Sequence, residues 1–97
     1  MTATHVSVAT AVLLLTMQSA HAAEAPAGAS SCTGCHAAQA GVPEMRALNG
    51  MPAAELAARM TAFKAGSQSA TIMDRIAKGF SEDEIRALAA WYAAQKP

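Results

Sequence analysis

Five consecutive residues constrain this chain more than any other part of it: Cys32, Thr33, Gly34, Cys35 and His36. Cys-x-x-Cys-His is the attachment signature of c-type haem. Both thiols add to the vinyl groups of the porphyrin, and two intervening residues in a helical turn give the required spacing. The histidine that follows lies beneath the iron, where its imidazole can be the proximal ligand. The motif therefore predicts one covalent haem c, held by Cys32, Cys35 and His36.

Two other kinds of site use paired cysteines, and the sequence favours neither. A redox-active Cys-x-x-Cys pair typically belongs to a thioredoxin-like βαβ pattern, whereas no window of this sequence alternates like a strand. A structural zinc site takes four ligands, and the motif offers three. Haem attachment is therefore the better interpretation.

The amino-terminal region predicts export. Its apolar run, Val6 to Met17, is twelve residues long, shorter than the roughly twenty residues that span a bilayer. It leads to Ala20-His21-Ala22, a cleavage site typical of a secretory signal peptide. We predict a cleaved signal over 1–22 and a periplasmic cytochrome c domain over 23–97, with no membrane attachment after cleavage. Because no Lys or Arg precedes the apolar run, an uncleaved anchor is the alternative.

The small size of the predicted domain explains why it would need a cofactor. Residues 23–97 make 75 of the 97 residues, and so short a chain buries too little apolar surface without a disulfide, a metal or a cofactor. Both cysteines belong to the haem motif, so a haem would supply the missing core. Seven basic and seven acidic side chains balance, and without a basic tract we expect no nucleic-acid partner.

The rest of the sequence predicts three helices. Apolar spacing and local end signals place them over Ala53 to Ala65, over Thr71 to Lys78, and after Ser81. Pro52 suits the first position of a helix, Gly66 suits the position after its end, and Ser81 with Glu84 forms a capping box. The stretch from Gln39 to Gly50 contains Gly and Pro and predicts a loop.

Apolar side chains at helical spacing indicate which faces are buried: Leu56, Met60, Phe63, Ile85, Leu88, Ala89 and Tyr92. With no strand pattern in the sequence, these faces predict an all-α fold. We expect its helices to wrap around one covalently bound haem.

A methionine is the predicted sixth ligand of the iron. If His5 and His21 leave with the signal peptide, His36 is the remaining histidine, and a thioether is a neutral donor that raises the potential of haem. Four methionines are available after cleavage: Met45, Met51, Met60 and Met73. Spacing favours Met73, which is far enough beyond His36 to reach the opposite face of the haem. A role for Met73 in filling the core stays equally open at this point.

The other methionines have simpler interpretations. Met60 shares an apolar stripe with Leu56 and Phe63, which indicates core packing. Met51 precedes a helix start and is interpreted as a packing residue. Met45 follows His36 by nine residues on the predicted loop, so we expect it on the proximal side.

Several stretches resemble one family: CTGCH, Gly41-Val42-Pro43, Phe63 to Ile85, and Leu88 to Tyr92. Through them the chain resembles short class I cytochromes c, most closely the haem subunits of flavocytochrome c sulfide dehydrogenase. The resemblance implies that Met73 is the distal ligand. It also implies that the carbonyl of Pro43 orients His36, a hydrogen bond that would set its tautomer and basicity.

The resemblance further implies that Trp91 and Tyr92 pack near the motif helix and the haem. The segment before Cys32 departs from the family, because it is short and lacks an aromatic residue. We therefore expect a weaker contact between the first and last helices.

Two classes of function follow from these expectations. In the first, the protein carries single electrons and is not itself an enzyme. It would be the haem subunit that accepts electrons from a flavoprotein dehydrogenase oxidising sulfide or another sulfur compound, or a free shuttle to an oxidase. In the second, a five-coordinate haem binds a small ligand, as in a gas sensor or weak peroxidase.

Two groups of side chains indicate how the protein would contact a redox partner. Apolar residues expected near the haem edge favour a lasting contact: Met45, Met51, Ile72 and Phe80. Basic residues would either surround the haem edge and steer a partner or form an ordinary solvated surface: Arg59, Lys64, Arg75, Lys78 and Arg86.

Overall fold

The computed structural model describes residues 23–37 and 45–97. They form four helices: α1 (Ala29–His36), α2 (Ala53–Ala65), α3 (Met73–Ala77) and α4 (Glu82–Ala93). These ranges contain no strand, which confirms the predicted all-α fold. Neither the predicted signal peptide nor Pro43 lies in the described part of the chain. None of the helices in that part is both long and apolar enough to cross a membrane.

Helix α2 is the central element, because it packs against both α3 and α4. Its bounds are those predicted, and Gly66 ends it with φ 76° while donating its N–H to the carbonyls of Ala62 and Phe63. Pro52 precedes the helix instead of being its first residue. With ψ 132°, Pro52 is still extended, and its carbonyl accepts the first helical bond from the Leu56 N–H at 3.0 Å.

Helix α3 is shorter than predicted. It begins at Met73 instead of Thr71, because Ile72 has φ −138° and does not continue a helix. The Ile72 carbonyl accepts the N–H groups of Arg75 and Ile76 at 3.0 and 3.2 Å. Met73 therefore lies at the very start of α3.

Helix α4 begins as predicted. The Ser81 hydroxyl accepts the Glu84 backbone N–H at 3.2 Å and caps the helix. Its apolar stripe is buried as expected and supplies four residues of the core: Ile85, Leu88, Ala89 and Tyr92.

The first and last helices meet through aromatic residues of α4. The Tyr92 hydroxyl donates to the Ala29 carbonyl in α1, and the Trp91 indole N–H donates to the Ala23 carbonyl at 3.2 Å. The two rings lie edge to face, with centroids 4.9 Å apart. Tyr92 thus contacts the motif helix, as the resemblance implies, whereas Trp91 bonds to the segment before that helix. No aromatic residue precedes Cys32.

Phe80 has a different place from the one predicted. It is half-buried in the turn between α3 and α4, where a Cβ on Gly28 would be 2.6 Å from its Cε1 atom. Lys64 donates to the Phe80 carbonyl at 2.7 Å and ties this turn to α2. Phe80 therefore packs against the start of α1 and is not part of the edge expected to meet a partner.

Candidate haem site

A cavity of about 400 Å³ lies among the four helices and the loop after α1. Four residues predicted from the sequence share its wall: Cys32, Cys35, His36 and Met73. Its remaining surface is largely apolar, with Leu56, Leu88 and Tyr92 in the buried part. The fold therefore brings together four of the five predicted site residues, while Pro43 lies outside the described ranges.

The motif lies on a short helix whose local geometry explains the spacing of its thiols. Gly28, with φ 86°, turns the chain into α1. Thr33 donates its hydroxyl hydrogen to the Ser30 carbonyl at 2.7 Å, a local bond within the first turns. Cys32 and Cys35 are three residues apart in this helix, so their side chains lie on one face. Cys32 is half-buried and Cys35 is exposed, and both are free thiols.

The ring of His36 is fixed by a backbone carbonyl. Its Nδ1 atom lies 2.7 Å from the carbonyl oxygen of Arg46. Since a carbonyl can only accept, Nδ1 carries the hydrogen, and in the neutral ring the lone pair is then on Nε2, the form that binds a metal. Pro43, which the resemblance implies as the acceptor, lies outside the described residues, so that expectation stays a prediction; the described acceptor is Arg46. No sequence signal could have identified it, because a backbone carbonyl has no residue-specific signature.

All four methionines of the predicted domain line the cavity. Lining the cavity therefore does not by itself identify which methionine is the distal ligand. Met51 and Met60 are buried, with 8% and 7% of their surface exposed, and belong to the core as predicted. Met45 is 38% exposed and lies next to Arg46, which contacts His36. Met73 is half-buried at the start of α3.

The exposed apolar side chains of the cavity wall show whether its surface suits a haem. Among the described residues, three large apolar side chains are exposed: Met45, Ile72 and Ile76. All three line the cavity. Scattered exposed apolar residues are ordinary, but these share one concave surface that a flat apolar group would cover. The residues present therefore fit a haem.

The charged part of the wall consists of Arg46 and Arg59. Glu55 lies between them, with its Oε1 atom 3.1 Å from a guanidinium nitrogen of each. The sequence placed Arg59 among the basic residues expected at the haem edge, and the four-residue spacing of Glu55 and Arg59 predicts their helical pair, which the structure confirms. No pattern in the sequence indicated Arg46.

The other basic residues expected at the haem edge do not line the cavity. Lys64 donates to the Phe80 carbonyl, Arg86 pairs with Asp83, and Arg75 and Lys78 are exposed. For these four residues, the interpretation as an ordinary helix surface is the better one.

Burial favours the neutral forms of two titratable side chains of the wall, Cys32 and Tyr92. It raises the pKa of the Cys32 thiol, against smaller opposing effects of hydrogen bonds. Burial is also the main cause that raises the pKa of Tyr92 to about 12, with smaller effects from the charge and hydrogen bond of Cys32. Uncharged groups suit a wall that faces an apolar cofactor.

The zinc alternative gains no support from the fold. In 23–37 and 45–97, no three His, Cys, Asp or Glu side chains lie close enough together to hold a metal ion. The motif thiols and His36 instead face a cavity whose other wall residues are mostly apolar.

Comparison with known proteins gives one informative similarity. No protein-family model matches the chain. The chain is similar to the thiosulfate dehydrogenase electron acceptor of Thiomonas intermedia (strain K12), with 36% identity over 81 residues. The alignment takes in 77% of this chain and 36% of the relative. The chain thus spans about a third of the length of the curated relative that it matches.

Proposed function

We propose that this chain is an electron-transfer protein that holds one covalent haem c and has no substrate site of its own. One observation carries the proposal: both motif thiols, His36 and Met73 share the wall of a single apolar cavity. The similarity to a protein named as an electron acceptor supports the same class of function.

Each residue of the site has a separate role in this proposal. Cys32 and Cys35 hold the haem through thioether bonds, and His36 binds the iron through Nε2. The haem supplies a centre that is reduced and oxidised by one electron. The apolar wall excludes water, which limits the change in solvation that accompanies each electron transfer.

Met73 is the proposed sixth ligand. Met45 adjoins Arg46, whose carbonyl holds His36, and this supports a position for Met45 on the proximal side. Met51 and Met60 are core residues. Met73 is half-buried, and its neighbour Ile72 is an exposed residue of the same wall. If His36 and Met73 both held the iron, a small ligand would have no open position there, which favours electron transfer over a gas sensor or peroxidase.

For the electron donor, we propose an exported dehydrogenase that oxidises an inorganic sulfur compound. The name of the relative, a thiosulfate dehydrogenase electron acceptor, supports thiosulfate as that compound. The resemblance to flavocytochrome haem subunits supports sulfide and a flavoprotein instead. Both donors would deliver single electrons to the haem edge near Met45 and Ile72, the exposed apolar residues of the cavity wall.

Reduction by purified dehydrogenases tests this proposal. The oxidised protein is mixed with a thiosulfate dehydrogenase and thiosulfate, or with a flavoprotein sulfide dehydrogenase and sulfide, and reduction is followed by haem absorbance. We expect stoichiometric one-electron reduction by one donor at a rate well above that with the sulfur compound alone. Purified protein without covalent haem, or haem that neither enzyme reduces, would contradict the proposal.

A further inference from the structure

Arg46, in the loop after α1, contacts both the motif helix and α2. Its backbone carbonyl accepts the Nδ1 hydrogen of His36, at 2.7 Å. Its guanidinium donates to Oε1 of Glu55, in the first turn of α2, at 3.1 Å. Arg46 thus contacts the motif histidine with its main chain and α2 with its side chain.

Glu55 is itself held in place on α2. Arg59, one helical turn later, donates from Nε to the same Oε1 atom at 3.1 Å. Pairs at i,i+4 need little ordering, because the helix already brings the two side chains together. Since α2 packs against α3 and α4, Glu55 gives Arg46 an anchor on the most firmly packed element.

We propose that Glu55 is a positioning residue for the iron-binding histidine. By holding the Arg46 side chain against α2, Glu55 fixes the Arg46 carbonyl, and that carbonyl fixes the tautomer and ring angle of His36. This rests on the proposed function, because it concerns His36 as a haem ligand. Hydrogen bonds to the second nitrogen of a metal-bound histidine orient the ring and raise its basicity.

Because both side chains are partly exposed, the strength of the Arg46–Glu55 ion pair depends on the salt concentration. The side chains are 65% and 37% exposed, so dissolved salt screens their attraction. Weakening the pair releases the loop and lets water reach the Nδ1 hydrogen. Exchange of that hydrogen with solvent therefore reports directly on the positioning effect.

The test measures this exchange by NMR on the haem-loaded protein, comparing wild type with Glu55→Gln and Arg46→Gln. Exposed ion pairs contribute little, so we expect exchange to be about two- to fivefold faster in both variants. High salt should accelerate exchange in wild type and have little further effect in Glu55→Gln. Arg46→Gln keeps the backbone carbonyl, so a faster rate there identifies the side chain as the anchor.

Two controls separate positioning from a general effect of charge. Arg86→Gln removes a positive charge and Glu82→Gln removes a negative charge, both from exposed α4 surface that contacts neither Arg46 nor Glu55. Both should exchange like wild type. Wild-type exchange in Glu55→Gln with full haem content would overturn the proposal. Absence of covalent haem in the wild type, measured by mass, would instead reject the proposed function.

Discussion

Met73 is the residue on which, as proposed, the chemistry of a bound iron would depend most. Replacement by Ala should leave haem attached through Cys32 and Cys35, lower the reduction potential, and allow carbon monoxide or cyanide to bind. The physical reason is that a thioether favours Fe(II) over a water ligand or an empty position. Absorbance with added ligand and a potentiometric titration check this, with Met60→Ala as the matched control. An unchanged potential in Met73→Ala would transfer the role to Met51 or Met45.

Tyr92 is a second residue whose environment has a measurable consequence. Its pKa is raised to about 12, chiefly by burial, so the folded state holds the phenolic proton more tightly than the unfolded state. The stabilisation is complete below pH 10, the unfolded value, and is lost as pH rises towards 12. We expect the free energy of unfolding to fall across this window.

The matched variant for that measurement is Tyr92→Phe. It should lack the Tyr92-dependent fall and should be about 1 kcal/mol less stable at neutral pH, because the Ala29 carbonyl loses a donor. Chemical unfolding at a series of pH values gives both quantities. In the haem-bound protein Cys32 would be a thioether, so its contribution to the raised pKa of Tyr92 should vanish and the contribution of burial should remain. Parallel pH profiles for wild type and variant would contradict this assignment.

At the scale of elements, Gly28 allows the start of α1 to pack closely against the turn between α3 and α4. It has φ 86°, and an added Cβ would meet Phe80 at 2.6 Å. Gly66 has a similar φ of 76°, but an added Cβ would meet nothing within 4 Å. Gly66→Ala should therefore cost only the backbone strain, about 1–2 kcal/mol, and Gly28→Ala should cost more because the Phe80 ring must move. Denaturant unfolding of the two variants tests the order, and equal losses would show that the Phe80 contact is unimportant.

At the scale of the whole molecule, the cavity of about 400 Å³ implies that a bound haem would form part of the core. Without it, Met45, Ile72 and Ile76 remain exposed, and so small a domain has little other apolar surface to bury. Cys32→Ala with Cys35→Ala should therefore give a colourless chain with low helicity and no cooperative thermal transition. Circular dichroism measures this, with Glu82→Gln carrying haem as the control. A folded, colourless double variant would show that the helices do not need the cofactor.

The sequence by itself determined the features that depend on neighbouring residues. The helix over Ala53–Ala65, the cap at Ser81 and the buried stripe of α4 follow from local spacing and hydrogen bonding, and the structure confirms them. The motif thiols and His36 were recognised because their chemistry requires that spacing. The start of α3 was predicted two residues early, since the backbone of Ile72 has no local signature.

Tertiary structure alone decided which distant groups meet. The packing of Phe80 on Gly28, the Arg46 carbonyl on His36 and the salt bridge to Glu55 join residues that no periodicity relates. A backbone carbonyl is present at every residue, so the path of the chain selects the one that holds the histidine. The sequence therefore determined the chemistry of the predicted ligands, while the fold decided how His36 is held, because that depends on packing between elements far apart in the chain.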